Sequence, residues 1–211
     1  VLSVALFMAG LGAYYVFRHH VWGYPIENVG FWETTLKIAI VALVVTAPLQ
    51  ALHGDLYARH VYETQPQKFA AMEAVWETDS YVPEYIVAFP TSLEDLTNPK
   101  AKELFGIGIP GGASWLASGG DPEATIVGLN EYGEAPPVAL VFWSFRIMVG
   151  MGFWFILLAF WGAYRWWRGE LYEDDLLHKS LMLSTLLGIV AVELGWIVTE
   201  VGRQPWVIQG V

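Results

Sequence analysis

Long apolar runs separated by short polar connections set the pattern of this chain. A helix that crosses a bilayer needs about 20 mostly apolar residues, because roughly 30 Å of hydrocarbon is divided by about 1.5 Å of rise per residue. Four stretches meet or approach that length: Val1 to Phe17, Leu36 to His53, Val138 to Trp166 and Ser180 to Glu200. Pro48 predicts a kink near the far end of the second. The third is long enough to tilt or to project from the bilayer. The first matches a signal-peptide core in length, but it lacks a basic start and a small-residue cleavage site, and tyrosines sit at its end. The pattern predicts an all-α, polytopic membrane helix bundle of about four transmembrane helices. Val1 already lies inside an apolar run, as it would in a piece of a longer protein.

Trp22, Trp32, Trp166, Trp167 and Trp206 stand near the ends of these runs, where amphipathic rings favour the headgroup level, although each also reads as an ordinary packing aromatic. Arg18 and Lys37 flank the first connection, and Arg165, Arg168 and Lys179 the third. The excess of Lys and Arg predicts a cytoplasmic location for both. Residues 54–137 and the tail after Glu200 then face outward. Three regions follow: 1–53 with two membrane helices, 54–137 as an extracytoplasmic loop, and 138–211 with the other two helices.

The outer segment is the least membrane-like part. Of the 21 acidic residues, 13 lie between Asp55 and Glu134, against four Lys or Arg. A structureless loop of this length is improbable unless it is functional or disordered. Thr64-Gln65-Pro66-Gln67 has the look of a capping box with proline in the first turn. Phe69, Met72 and Trp76 then recur at helical spacing, predicting a short amphipathic helix from Pro66 to about Thr78 on the outer surface. Beyond it, Asn98-Pro99, Gly111-Gly112 and Gly119-Gly120-Asp121-Pro122 predict turns and mobility.

Composition narrows the function classes. Hydrophobic residues make up 55% and charged residues 15%, against about 25% charged in soluble domains. A net charge of -10 argues against nucleic acid as a partner. The absence of cysteine excludes disulfides, iron–sulfur clusters and thiol catalysis. His19, His20, His53, His60 and His178 all fall near run ends, so none is centred in a membrane helix.

Charges inside apolar helices are costly and mark candidate sites. Arg146 lies eight residues, or about 12 Å, beyond Val138. It needs an anionic partner, a carboxylate or a cofactor propionate, unless it snorkels outward. Glu193, Trp196, Glu200 and Arg203 are spaced by three, four and three, which puts them on one helix face. They suggest a polar site in the bundle interior or a proton or electron path; equally, Glu200 and Arg203 form an ion pair at a helix end. Met148 is a packing residue by base rate, but its thioether can also be an axial haem ligand.

Three motifs taken together resemble subunit I of the cytochrome bd family of quinol oxidases. They are Gly202-Arg203-Gln204-Pro205-Trp206 preceded by Glu200, Ser144-Phe145-Arg146-Ile147-Met148-Val149-Gly150, and Gln65-Pro66 followed by Lys68-Phe69-Ala70-Ala71-Met72-Glu73-Ala74 and Trp76-Glu77-Thr78. Their order also agrees. The resemblance implies that Met148 ligates a low-spin haem b and Glu200 a high-spin haem b next to haem d or a third haem b. It implies that Arg146 and Arg203 lie near haem propionates, that Trp196 stands between the two haems of the oxygen-reducing pair, and that Lys68 and Glu73 serve quinol oxidation. It further implies a multi-pass protein of the prokaryotic cell membrane that oxidises quinol at the outer face and reduces oxygen to water. A proton gradient would arise from vectorial uptake without pumping. Membrane lipid, a second oxidase subunit and the N-terminal portion of subunit I, with its histidine ligands, are the implied partners. Two other readings stay open: a transporter or channel with an Arg146 and Glu193/Glu200 ion path, and an assembly subunit that kept the motifs without the haems.

Overall fold

The computed structural model describes residues 1–205; Trp206, expected to mark the outer end of the fourth span, lies outside the described residues. The helical runs form as expected, with longer bounds. Helix α1 covers Leu2–His20, α2 Val29–Thr64, α6 Val138–Trp167 and α7 Asp175–Val201. Among the described residues, α2, α6 and α7 are long and apolar enough to cross a membrane. Helix α1, at the first of the four expected spans, has 19 residues and ends on Arg18, His19 and His20. Helix α2 has 36 residues, about 54 Å by its rise, and runs through Pro48 and on past His53 by three turns.

Two compact units divide the chain. The first comprises Val1–Leu52 and Met151–Val192. Its core is a set of periodic small and aliphatic positions: Ala5, Ala9, Ala13 and Val16 of α1, Leu36, Ile40 and Leu43 of α2, and Phe155, Leu158 and Ala159 of α6. Small residues let backbones approach. A Cβ at Gly12 would stand 3.0 Å from the Leu36 nitrogen, and one at Gly10 would overlap the Thr185 hydroxyl. Phe7, Val41, Val45, Leu49, Phe160, Leu186 and Ile189 remain exposed, which suits lipid better than water. The short connections carry compensated charge: His20 pairs with Glu33 at 2.8 Å and Arg165 with Asp174 at 2.7 Å. Asp174 also caps α7, accepting from the Leu177 N–H.

The second unit comprises His53–Gly150 and residues 193 onward. It wraps the outer segment around the first turns of α6 and the last turns of α7. Here the all-α expectation is incomplete. Strand β1 (Asp79–Ser80) pairs antiparallel with β4 (Thr125–Ile126), and β2 (Glu84–Phe89) with β3 (Phe105–Ile109). The expected glycine and proline turns connect these ribbons and two short helices, α4 (Leu93–Thr97) and α5 (Gly112–Ser118). Ser92 and Asp95 form a complete capping box on α4. Gly111 and Gly119 take left-handed conformations at the two ends of α5. The core gathers Phe69, Ala70, Ile126, Leu129, Val141 and Phe142.

The amphipathic surface helix expected from Pro66 to Thr78 is corrected. Helix α3 covers only Pro66–Met72, and Gln67 through Met72 are all buried. Proline does sit in the first turn, but Gln65 is the N-cap and makes no side-chain cap bond. Ala74 adopts φ 53 and ends the helix. The Val75 N–H then donates back to the Ala70 carbonyl at 2.9 Å, as at a helix end usually closed by glycine.

Candidate functional site

The early end of α3 turns Glu73 inward rather than along an exposed face. Its side chain is 1% exposed and meets Arg146 Nη2 at 2.5 Å. Arg146 Nη1 meets Glu84 of β2 at 2.6 Å. The same guanidinium donates to the Tyr85 carbonyl and, at 3.2 Å, to the Met72 carbonyl. Its plane lies over the rings of Phe142 and Phe145. The charge expected to need an anion therefore has carboxylates as its anions, and it does not snorkel. Burial pushes the Glu73 carboxyl well above the usual carboxylate range; the Arg146 charge opposes this, and the neighbouring Glu84 adds to it. Oε1 of Glu73 and Oε2 of Glu84 are buried without a partner among the described residues.

Lys68 occupies the other side of α3 and is buried against the end of α7. A Cβ at Gly202 would stand 3.1 Å from Lys68 Cγ, so the absence of a side chain there admits the lysine stem. Burial pushes the Lys68 ammonium below its ordinary value; the Arg203 charge adds to this, and the Glu200 charge opposes it. Arg203 donates to the Thr199 carbonyl at 3.0 Å and pairs with Glu200 at 2.6 Å. The ion-pair reading of these two residues is thus realised, with the Glu200 side chain still 52% exposed.

Met148 lies half-buried on α6 against Gly195 of α7, its sulfur 3.3 Å from where a Cβ would be. Glu193, Trp196 and Glu200 follow α7 on one face, and all three are exposed. That face is uncovered by the described residues of this chain, so the expected enclosure in a bundle interior is not formed by them. The donors fit a porphyrin in part. A thioether beside a glycine and a half-exposed carboxylate next to an indole offer one axial atom each. Each stands alone: among the described residues no three His, Asp or Glu side chains gather. Arg203 is part-exposed beside Glu200, and Arg146 has both Nη atoms on carboxylates while its Nε is buried without a partner among the described residues.

Lys68, Glu73, Arg146, Met148, Trp196, Glu200 and Arg203, scattered over more than 130 positions, all fall in the second unit. Sequence reasoning missed Glu84. It sits in an aromatic and β-branched run, and only the pairing of β2 beside α6 shows that it turns toward Arg146. His178 is one of the histidines near the run ends. It is fully buried in the first unit, edge-on to Phe17 at 6.1 Å.

Comparison with known proteins places these residues in context. The family model for cytochrome bd terminal oxidase subunit I matches residues 1–211. Cytochrome bd ubiquinol oxidase subunit 1 of Bacillus subtilis (strain 168) is 34% identical over 219 residues, covering 98% of this chain and 44% of that protein. Cytochrome bd-II ubiquinol oxidase subunit 1 of Escherichia coli (strain K12) is 28% identical over 268 residues, covering 98% and 51%. The chain spans about half the length of the curated relatives it matches.

Proposed function

The chain belongs to the cytochrome bd terminal oxidase subunit I family, and from that premise we propose that it carries the quinol-oxidising loop and two haem-iron ligands of a terminal oxidase. One observation carries this reading. Lys68 and Glu73, five residues apart, are both buried in the unit that also holds Met148 and Glu200. A polar pair with shifted proton affinities is what a site that deprotonates a quinol needs.

Each side chain has a role. Lys68, its proton loosened by burial, orients a quinol oxygen by hydrogen bonding. Glu73 takes a hydroxyl proton. Met148 supplies a thioether to the low-spin haem b, and Gly195 leaves its sulfur uncrowded. Glu200 supplies a carboxylate to the high-spin haem b, with Arg203 steadying it. Trp196, exposed on the same face, would stand beside the second haem of the oxygen-reducing pair, a haem d or a third haem b. Haem iron, when bound, accepts electrons singly and delivers them to oxygen. Arg146 acts on Glu73, and its Nε, unpartnered among the described residues, is the atom left for a propionate.

The setting is the prokaryotic cytoplasmic membrane, in assembly with the rest of subunit I and a second oxidase subunit. Quinol protons leave on the outer side, and protons consumed in forming water come from the cytoplasm. Reduced-minus-oxidised optical spectra of the full-length oxidase test this. Haem b and haem d bands support it. Membranes in which the complete assembly binds no haem would favour a transporter or an assembly subunit. Lys68→Ala is expected to raise the quinol KM or lower turnover with haem content intact; loss of haem instead would give the loop a structural role.

A further inference from the structure

Two carboxyl groups and one guanidinium share a space largely shielded from water. The Arg146 and Glu73 side chains are 2% and 1% exposed, while Glu84 is 17% exposed. Fully ionised, the three would hold one uncompensated negative charge in a low-dielectric site, which is costly. With one proton among them the cluster is neutral. The oxygen pattern suits that state. Each carboxyl gives one oxygen to Arg146. Each keeps the other buried without a donor, both carboxyls are held by the two ends of one guanidinium, and the Glu84 charge disfavours ionisation of Glu73. Two acceptor groups this close are stable together when a proton lies between them.

The three positions also form a gradient of access. Glu73 ends α3, the element that carries Lys68, and is sealed. Glu84 comes from β2 in the outer segment, and its side chain is partly exposed although its Oε2 is covered. Arg146 touches both and lets neither carboxylate leave. Among the described residues Glu84 is the carboxyl that shares the Arg146 guanidinium with Glu73; the other groups on that guanidinium are the Met72 and Tyr85 carbonyls and the Phe142 and Phe145 rings.

We propose that Glu73 and Glu84 hold one proton in common over Arg146, and that Glu84 is the proton-relay residue through which quinol protons pass from the buried site to the outer water. This rests on the quinol-oxidase reading and adds an exit to it. For each proton, the quinol O–H bond breaks and Glu73 is protonated. The proton already shared moves onto Glu84 and then to water, which restores the neutral cluster. The electrons go to haem iron and on to oxygen. Repeating the cycle for the second hydroxyl leaves quinone, two protons outside and two electrons passed on. Arg146 is a positioning residue: it neither gives nor takes a proton, but keeps the two carboxyls in register.

The test uses the full-length oxidase with Glu84→Gln, Glu84→Asp and Glu73→Gln. Infrared spectroscopy reads the carbonyl stretch of a protonated carboxylic acid, with and without quinol. The wild type should show a buried acid band at neutral pH. Either glutamine variant should lose it, because one carboxylate balances one guanidinium. Steady-state assays of Glu84→Gln should show a fall in quinol kcat of about a hundredfold, within the range of a lost proton-transfer group, with KM and the haem optical spectrum retained. Glu84→Asp should recover part of the rate and displace the pH profile. An acid band that persists in Glu84→Gln, an unchanged kcat, or a joint loss of KM and haem would each overturn the relay. If the wild type binds haem but does not oxidise quinol, the functional reading fails instead, and the infrared band still decides whether the proton is shared.

Discussion

Met148 touches Gly195 through its sulfur, and that contact makes two substitutions informative. Met148→Leu keeps the volume and removes the donor. It is expected to abolish or shift the low-spin haem band while the other haem bands stay, as read in reduced-minus-oxidised spectra. Gly195→Ala places a methyl carbon 3.3 Å from the same sulfur, closer than ordinary contact, so the sulfur must give by a few tenths of an ångström. The same band should move without vanishing. Glu73 makes a prediction of a different kind. Its raised proton affinity means that the folded state binds a proton which the unfolded chain releases. That contribution is complete below the ordinary carboxylate range and declines as pH rises through the window up to the raised value. Lys68 is shifted downward, so its contribution runs the other way, recovering as pH approaches the ordinary lysine range. Thermal unfolding of the detergent-solubilised protein from acid to neutral pH should therefore show a decline that Glu73→Gln flattens.

Elements explain why some of this was legible and some was not. Helices α6 and α7 were readable to within one residue at their outer ends, because a continuous apolar run has a length set by the bilayer. The seven residues of α3 misled for a physical reason. The spacing of Phe69, Met72 and Trp76 is helical, but a buried charge pair holds Glu73 and a left-handed Ala74 stops the helix before Trp76. Helical periodicity cannot register a carboxylate that prefers an arginine 73 positions away. Trp76 instead turns to donate its indole N–H to the Pro99 carbonyl at 2.8 Å. The ribbons were invisible for a related reason: β3 reads Phe-Gly-Ile-Gly-Ile, and its glycines look like turns. A Cβ at Gly106 would stand 2.3 Å from the Val87 carbonyl, so that glycine serves close strand approach. Ala74→Val tests the helix stop. A β-branched residue at positive φ should cost about 1–3 kcal/mol, seen as earlier unfolding or proteolysis of the outer segment, with quinol KM raised and the low-spin haem band kept.

At the scale of the molecule, the charge pattern and the number of spans have to agree. Arg165, Arg168 and Lys179 are tied to Glu170, Asp174 and Asp175 by ion pairs. Acids count little in setting orientation, so these pairs do not cancel the basic bias that predicts a cytoplasmic α6–α7 connection. The outer segment carries most of the acids and, in the proposed function, receives the protons released by quinol. These 211 residues contain no cysteine, so in an oxidase whose remaining parts are made cysteine-free a single introduced thiol reports the side on which it lies. Glu123→Cys and Glu173→Cys each replace an exposed acid outside the candidate site. In intact cells a membrane-impermeant maleimide should modify the cysteine at 123, while the cysteine at 173 should react only after the membrane is opened. The reverse labelling would put the Lys68–Glu73 site on the cytoplasmic side. Quinol oxidation would then release its protons where oxygen reduction consumes them, and no gradient could result, whatever haems are bound.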